Sequence, residues 1–236
     1  MIRRILLLPL LAAALTILLA ACDPAPKAAK DAAPSPEVAA VPLFDTFGDL
    51  HRDVATRVPA AQRFFDQGLR MAYGFNHEAA GRAFAEAARL DPQCAMCVWG
   101  QALVLGPNIN LPMDPALAAE ASALAARAAS LGGTARPADR ALIQALQARY
   151  ADPAPEDRSP LDRAYADAMA RVVAQFPEDD DAATLHAEAL MDLSPWAYWA
   201  ADGSPAEFTP RLIGELARAL ARNPRHIGAR PYYIHA

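Results

Sequence analysis

Residues 61–94 read AQRFFDQGLRMAYGFNHEAAGRAFAEAARLDPQC, and this stretch decides the fold of the chain. Gly68 and Ala80 are small enough to let two antiparallel helices approach each other closely. Phe64 and Phe84 are large enough to fill the groove beside them, as a close-packed interior requires. The stretch therefore predicts a helical hairpin that is held together by small residues alternating with large ones.

The same stretch has the spacing of a tetratricopeptide repeat, a helix–turn–helix unit of about 34 residues. Ala87 continues the pattern of the second helix, and Pro92 closes it because proline cannot continue a helix. Asn76 and His77 fall at the expected turn. We therefore predict one clear repeat, whose packing residues are Phe64, Gly68, Ala80, Phe84, Ala87 and Pro92.

The spacing of the second helix returns twice further along the chain, and each return ends in a proline. The residues are Tyr165, Met169, Val172 and Pro177, and then Leu212, Leu216, Ala219 and Pro224. Further helices are expected over 114–131, 138–150 and 181–193. The abundance of Ala, Leu, Arg and Glu favours helices over strands. We predict an all-α, tetratricopeptide-like solenoid of antiparallel helix pairs, with an irregular alanine-rich bundle as the alternative.

The first 21 residues have the features of a bacterial signal peptide. Arg3 and Arg4 form a basic start, residues 5–20 are apolar, and small residues precede Cys22. A cysteine directly after such a cleavage site supplies the thiol that takes a diacylglyceryl group. The alternative is a transmembrane anchor, for which the apolar run is short. We predict a signal peptide over 1–21 and lipidation of Cys22.

Residues 22–42 consist mainly of Ala, Pro and Lys and have few large side chains to bury. Such a segment cannot offset its ordering entropy, and it is predicted to be a tether for a folded domain over 43–236. Asp23 resembles the signal that keeps lipoproteins in the inner membrane. We therefore expect a periplasmic lipoprotein of the cell envelope, attached to the inner membrane by its lipid.

The charge pattern argues against several classes of function. The formal net charge is −5, and removal of Arg3 and Arg4 with the signal peptide would make it −7. There is no basic stripe with interleaved aromatic residues, so nucleic-acid binding is not expected. No serine–histidine–aspartate order, catalytic carboxylate pair or zinc-protease motif stands out, and no enzyme activity is expected.

The chain has three cysteines, and lipidation of Cys22 would leave the pair Cys94 and Cys97. Three interpretations of this pair stay open. Two thiols in an oxidising periplasm favour a disulfide. Soft sulfur ligands would suit half of a copper or zinc site. A catalytic dithiol would usually follow a strand in a βαβ unit, which the pattern does not predict here.

His226 and His235 are further candidate ligands near the end of the chain. Nine residues apart on one helix, they would face opposite sides, so they can meet only if Pro231 begins a new helix. The aromatic segment PWAYW at 195–199 either lines a ligand groove or fills a gap between helices.

Four motifs together resemble those of a largely uncharacterised family of exported bacterial tetratricopeptide-repeat proteins. They are CAMCVWGQA at 94–102, GPNIN at 106–110, PWAYW at 195–199 and YYIHA at 232–236. The resemblance covers the chain from about residue 60 and implies the repeat fold. It also suggests a metal site made of the cysteine pair, His226 and His235. The family has a second histidine where this chain has Pro231, which removes one candidate ligand.

The final residues YYIHA lack the polar cap that a terminal solenoid helix needs, so we expect the chain to be truncated at its C-terminus. Members of the resembling family continue with further repeats. The predicted function is a membrane-tethered periplasmic scaffold that binds a protein or peptide on the concave surface of its stacked helix pairs. The alternative is a metal- or redox-binding lipoprotein that uses Cys94 and Cys97 with His226 or His235.

Overall fold

The computed structural model describes residues 41–46 and 48–236, and this part of the chain forms nine α-helices. They are α1 (Pro59–Tyr73), α2 (His77–Leu90), α3 (Ala95–Leu103), α4 (Ala118–Leu131), α5 (Pro137–Leu146), α6 (Ser159–Gln175), α7 (Asp180–Met191), α8 (Thr209–Arg222) and α9 (Ala229–His235). Short 3₁₀ turns at Pro115–Leu117, Gly132–Thr134 and Gln147–Arg149 adjoin α4 and α5. The predicted all-α class is confirmed.

The predicted features of the N-terminus fall mostly outside the described residues. These are the signal peptide over 1–21, the lipidated Cys22 and the tether as far as residue 40. Among the residues that the structure describes, no helix is both long enough and apolar enough to cross a bilayer.

Helix starts follow local signals in the sequence. Pro59 stands in the first turn of α1, where its missing N–H group leaves no hydrogen bond unmade. Asn76 caps α2 by accepting a hydrogen bond from the Ala79 amide at 3.2 Å. Asp179 caps α7 by accepting from the Ala182 amide at 2.9 Å. The chain therefore turns between α1 and α2 at the Asn76 position that the pattern indicated.

The ring of Phe84, on α2, packs between α1 and α3. A Cβ atom at Gly68 of α1 would lie 2.7 Å from this ring, and one at Gly100 of α3 would lie closer still. The ring therefore fills the space that a side chain at either position would need. Ala80 and Ala87 are fully buried in the same contact. α2 ends at Leu90, two residues before Pro92, so the hairpin spans the stretch that the sequence singled out.

Phe64 departs from the expected packing. It is only partly buried, whereas Phe65 is fully buried with its ring centroid 5.6 Å from that of Phe84. Phe65 therefore takes the position next to Phe84, and Phe64 packs against the core as a partly buried side chain. Successive residues of a helix point about 100° apart, so a shift of one residue changes which side chain faces α2.

Each helix packs against the next one along the chain, from α1 with α2 to α8 with α9. α1 also reaches distant helices, because the Tyr73 hydroxyl donates to Asp181 of α7 at 2.8 Å. The backbone at Gly228, just before α9, packs against the Tyr73 ring. In an array whose units contact only their neighbours, the first helix would not meet the last ones. Sequential helix packing is thus established, and a repeat solenoid is not.

The segment that precedes α1 inserts Arg52 among three carboxylates. The guanidinium donates to Asp139 of α5 at 2.7 Å, to Asp179 at 2.9 Å and to Asp181 at 3.1 Å. Arg52 is 7% exposed, and Asp139 is fully buried. Burial disfavours the charge on Arg52, but Asp181, Asp179 and Asp139 outweigh it and raise the pKa of the guanidinium well above its usual value. These bonds join the N-terminal segment to α5 and α7.

Candidate functional site

The two cysteines of the CAMC motif lie at disulfide distance, with their sulfur atoms 2.07 Å apart. Cys94 caps α3, and Cys97 lies in the first turn of that helix. Both residues are fully buried. A thiolate needs access to a sulfur atom in order to attack a disulfide. The burial therefore favours a structural staple at the start of α3 over a redox centre.

We expect the Cys94–Cys97 disulfide to resist reducing agents in the folded protein. Because both sulfur atoms are buried, reduction must wait for local opening, and thiol labelling should be on the order of a hundredfold slower than in denaturant. The measurement is alkylation in the presence of a reductant, with and without urea, followed by mass spectrometry. Equal rates in the two conditions would identify an accessible, redox-active pair.

The structure gives the candidate metal ligands separate surroundings. His226 is buried beside α7, with its Nε2 3.2 Å from Asp181 Oδ1. His235 lies between two aromatic rings. Within residues 41–46 and 48–236, no group of three or more His, Cys, Asp and Glu side chains is arranged to hold a metal ion. The copper or zinc site stays a prediction, and no geometry in these residues supports it.

His235 is the centre of the candidate site. Its ring centroid is 5.6 Å from that of Phe75 and 5.2 Å from that of Trp196, and both contacts are edge-on. Phe75 and Trp196 have φ angles of 59° and 61°, in the left-handed region that residues with side chains rarely adopt. They are the two non-glycine residues with such a backbone among those described. Strain of this kind persists where the surrounding packing imposes it, and it clusters at functional positions.

Exposed apolar side chains occur in the two segments that contain Trp196 and His235. Trp196, Trp199, Tyr233 and Ile234 are 59, 50, 44 and 82% exposed, respectively. Trp199 Nε1 donates to the carbonyl oxygen of Ala236 at 2.6 Å, which holds the 195–199 segment against the end of α9. We call these four side chains the C-terminal aromatic surface. The PWAYW and YYIHA motifs thus meet in one place, although they are distant in sequence.

Tyr232 attaches α9 to the core of the domain. It is fully buried, and burial together with the nearby Glu188 carboxylate of α7 raises the pKa of its hydroxyl well above the usual value. Arg230, Tyr233 and Ile234 are exposed, at the i, i+3 and i+4 spacing of one helix face. α9 therefore presents part of the C-terminal aromatic surface on one face and docks on the core with the other.

Two buried carboxyl groups, Glu188 and Asp192, lie one turn apart at the end of α7 beneath this anchor. Arg149 Nη2 donates to Asp192 at 2.8 Å. Burial and the Glu188 carboxylate raise the pKa of Asp192 to about 8, although Arg149 opposes this shift. The raised pKa favours the protonated form of Asp192 near neutral pH, because its buried carboxylate lies close to a second negative charge.

The GPNIN motif helps to bury Arg149. The carbonyl oxygen of Pro107 accepts a hydrogen bond from Arg149 Nη2 at 2.8 Å. A Cβ atom at Gly106 would lie 2.7 Å from the Tyr150 hydroxyl oxygen and 3.0 Å from Arg149 Nε. The glycine thus allows the loop to approach this buried charge, which gives the motif a structural role.

Sequence reasoning identified His235 and its two aromatic motifs but missed Phe75, Arg149 and Glu188. Glu188 and Asp192 had a usable signal, since two acidic residues stand four positions apart in the otherwise apolar stretch 187–193. No signal in the sequence pointed to Phe75 or Arg149, because their roles depend on residues far away in the chain.

Comparison with protein-family models, with curated proteins and with solved structures gives no match for this chain. The resemblance to exported repeat proteins therefore rests on the four motifs alone. What the structure establishes is that the chain forms an all-α domain with sequentially packed helices.

Proposed function

We propose that this protein is a lipid-anchored periplasmic domain that binds another protein through the C-terminal aromatic surface. The observation that carries the proposal is the exposure of Trp196 and Trp199 in the 195–199 segment, beside His235. Trp and Tyr dominate binding energy at protein interfaces. An exposed cluster of apolar side chains, unlike scattered ones, is typical of an interaction site.

The strained backbone supports the same surface. Phe75 and Trp196 would relax if their backbones left the left-handed region, at a gain of about 1–3 kcal/mol each. Phe75 follows the C-terminus of α1, where the Asn76 amide donates to the Met71 carbonyl oxygen at 2.9 Å, as in a helix ending with a left-handed residue. The rings of Phe75 and Trp196 both contact His235. A surface that is ordered before its partner arrives loses less conformational entropy on binding, which favours affinity.

We also propose that the helix pairs are divergent tetratricopeptide-like repeats. Support comes from the Phe84 ring packed against Gly68 and Gly100, and from the contacts of α1 with α3, α3 with α5 and α7 with α9. In a tetratricopeptide array, the first helices of successive pairs pack side by side in this way. The contact of Tyr73 with Asp181 would then make this a short array whose ends meet.

The rival function is a metal- or redox-binding lipoprotein built on Cys94 and Cys97. It requires the pair to be reduced and reachable, whereas both sulfur atoms are buried at disulfide distance. The lipid anchor of the favoured function rests on the sequence around Cys22, which lies outside the described residues.

The first test is site-specific photo-crosslinking in cells that produce the full-length protein. A crosslinker in place of Trp199 or Ile234 is expected to give the same discrete adduct, because both side chains belong to one surface. A crosslinker in place of Leu111, which is 64% exposed but outside that surface, is the matched control and should give no such adduct.

Binding of the captured partner can then be measured by calorimetry. Trp196→Ala combined with Ile234→Ser is expected to weaken binding at least about 30-fold, or about 2 kcal/mol, as for interface hot spots. Leu111→Ser should leave the affinity unchanged. The proposal fails if the double variant binds as tightly as the wild type, or if all three crosslinking positions give the same adduct.

A further inference from the structure

α9 begins with a cap that is supplied by a histidine. The His226 carbonyl oxygen accepts a hydrogen bond from the Arg230 amide at 3.2 Å. The His226 ring Nδ1 accepts from the amides of Gly228 at 3.2 Å and Ala229 at 3.0 Å. This is the arrangement of an N-cap residue, which satisfies the backbone donors that the first turn of a helix leaves unpaired.

The position of the His226 ring is set by α1 and α7. The ring is 2% exposed, and its centroid lies 5.7 Å from that of Tyr73. Nδ1 accepts hydrogen bonds only without a proton, so a neutral ring carries its hydrogen on Nε2. Nε2 lies 3.2 Å from Asp181 Oδ1, although the alignment falls short of a good hydrogen bond. The ring therefore connects the start of α9 to the contact between Tyr73 of α1 and Asp181 of α7.

The Asp181 carboxylate, which lies beside the His226 ring, is itself held by several contacts. Burial alone would raise the pKa of Asp181, but hydrogen bonds and the charge of Arg52 lower it below its usual value, so the carboxylate is ionised at neutral pH. The Tyr73 hydroxyl donates to the same carboxylate at 2.8 Å, and Arg52 Nη1 donates to it at 3.1 Å. The contacts of Arg52 and Tyr73 with Asp181 therefore orient the group against which the His226 ring rests.

The first turn of α9 needs such support because its backbone N–H groups have no partner within the helix. The same helix carries Tyr233 and Ile234 of the C-terminal aromatic surface, and His235, which contacts Trp196.

We propose that His226 is the positioning residue of the C-terminal aromatic surface: its ring caps α9 and fixes that helix on α1 and α7. This role is distinct from metal ligation, because Nδ1 is occupied by two backbone N–H groups. The consequence for partner binding rests on the proposed function, whereas the ordering of α9 does not.

The test is hydrogen–deuterium exchange of the full-length protein, followed by mass spectrometry of the segment over 228–236. His226→Leu removes the cap and is expected to lower protection of α9 about tenfold, since caps contribute on this scale. His226→Asn supplies a good N-cap oxygen and should retain most of the protection. Amides of α1 and α2 should keep their wild-type protection in both variants, which separates a local effect from general unfolding.

The proposal is overturned if His226→Leu leaves α9 protected, or if His226→Asn lowers protection as much as His226→Leu does. Should both variants unfold, nitrogen NMR of the wild-type ring decides, because a protonated Nδ1 is incompatible with the cap. Crosslinking through position 234 should decline together with α9 protection. If protection falls while the adduct persists, the positioning role holds for α9 and partner binding does not depend on the order of this helix.

Discussion

Replacing Arg52 with Met is expected to destabilise the folded protein by about 3–5 kcal/mol at neutral pH. The substitution would leave the carboxylates of Asp139, Asp179 and Asp181 without their shared cation. Arg136 lies 3.0 Å from Asp139, but it is about half exposed and does not contact the other two carboxylates. Loss of one partner from a buried ionic cluster costs more than the cluster contributes, because the remaining charges are neither solvated nor paired.

Urea unfolding followed by circular dichroism gives this free energy from the midpoint at constant slope. Arg63→Met is the matched control, since the Arg63–Asp45 pair is exposed on both sides and should contribute no more than about 1 kcal/mol. Asp139→Asn added to Arg52→Met should recover part of the loss by removing one unpaired charge. A loss in Arg52→Met no larger than that in the control would mean that the cluster does not hold the N-terminal segment.

Adding a methyl group at Gly100 is expected to destabilise the protein by about 1–3 kcal/mol, the usual cost of overpacking a core. The new Cβ atom would overlap the Phe84 ring, which also presses on Gly68 from the other side. The ring therefore has no free side toward which it can move. Gly68→Ala should have a similar effect, because its Cβ atom would lie 2.7 Å from the same ring.

Unfolding of the double variant Gly100→Ala/Phe84→Leu tests whether the ring is the cause. The smaller leucine should relieve the overlap, so the two substitutions together should cost less than the sum of their separate effects. Gly133→Ala is the control, because a Cβ atom there meets nothing within 4 Å. Strictly additive losses would show that Phe84 is not the residue that makes Gly100 necessary.

Local signals predicted the helices closely. The expected segments 114–131, 138–150 and 181–193 correspond to α4, α5 and α7, with the adjoining 3₁₀ turns. The choice between Phe64 and Phe65 was missed, because it depends on the rotation of α1 about its axis, which α2 and α3 set. The solenoid was predicted from spacing alone, and spacing does not say whether the first helix meets the last.

The candidate site was predictable only in part. The aromatic motifs and His235 stood out as exposed or unusual residue types, and the compartment favoured a disulfide between Cys94 and Cys97. Their surroundings were not predictable. The burial of both sulfur atoms, which favours a structural disulfide over a redox centre, is a property of the folded protein. The capping role of His226 depends on Asp181 and on the Gly228 backbone.

The sequence by itself determined the helices, their order and the small residues at which α1, α2 and α3 approach each other. These features depend on residues within one or two helical turns, whose preferences act before any distant contact forms. Only the tertiary structure decided that Arg52 meets carboxylates 87 and 127 residues away, and that His235 lies between Phe75 and Trp196. Such contacts depend on how all the helices pack together, and no local pattern specifies which distant side chains will meet.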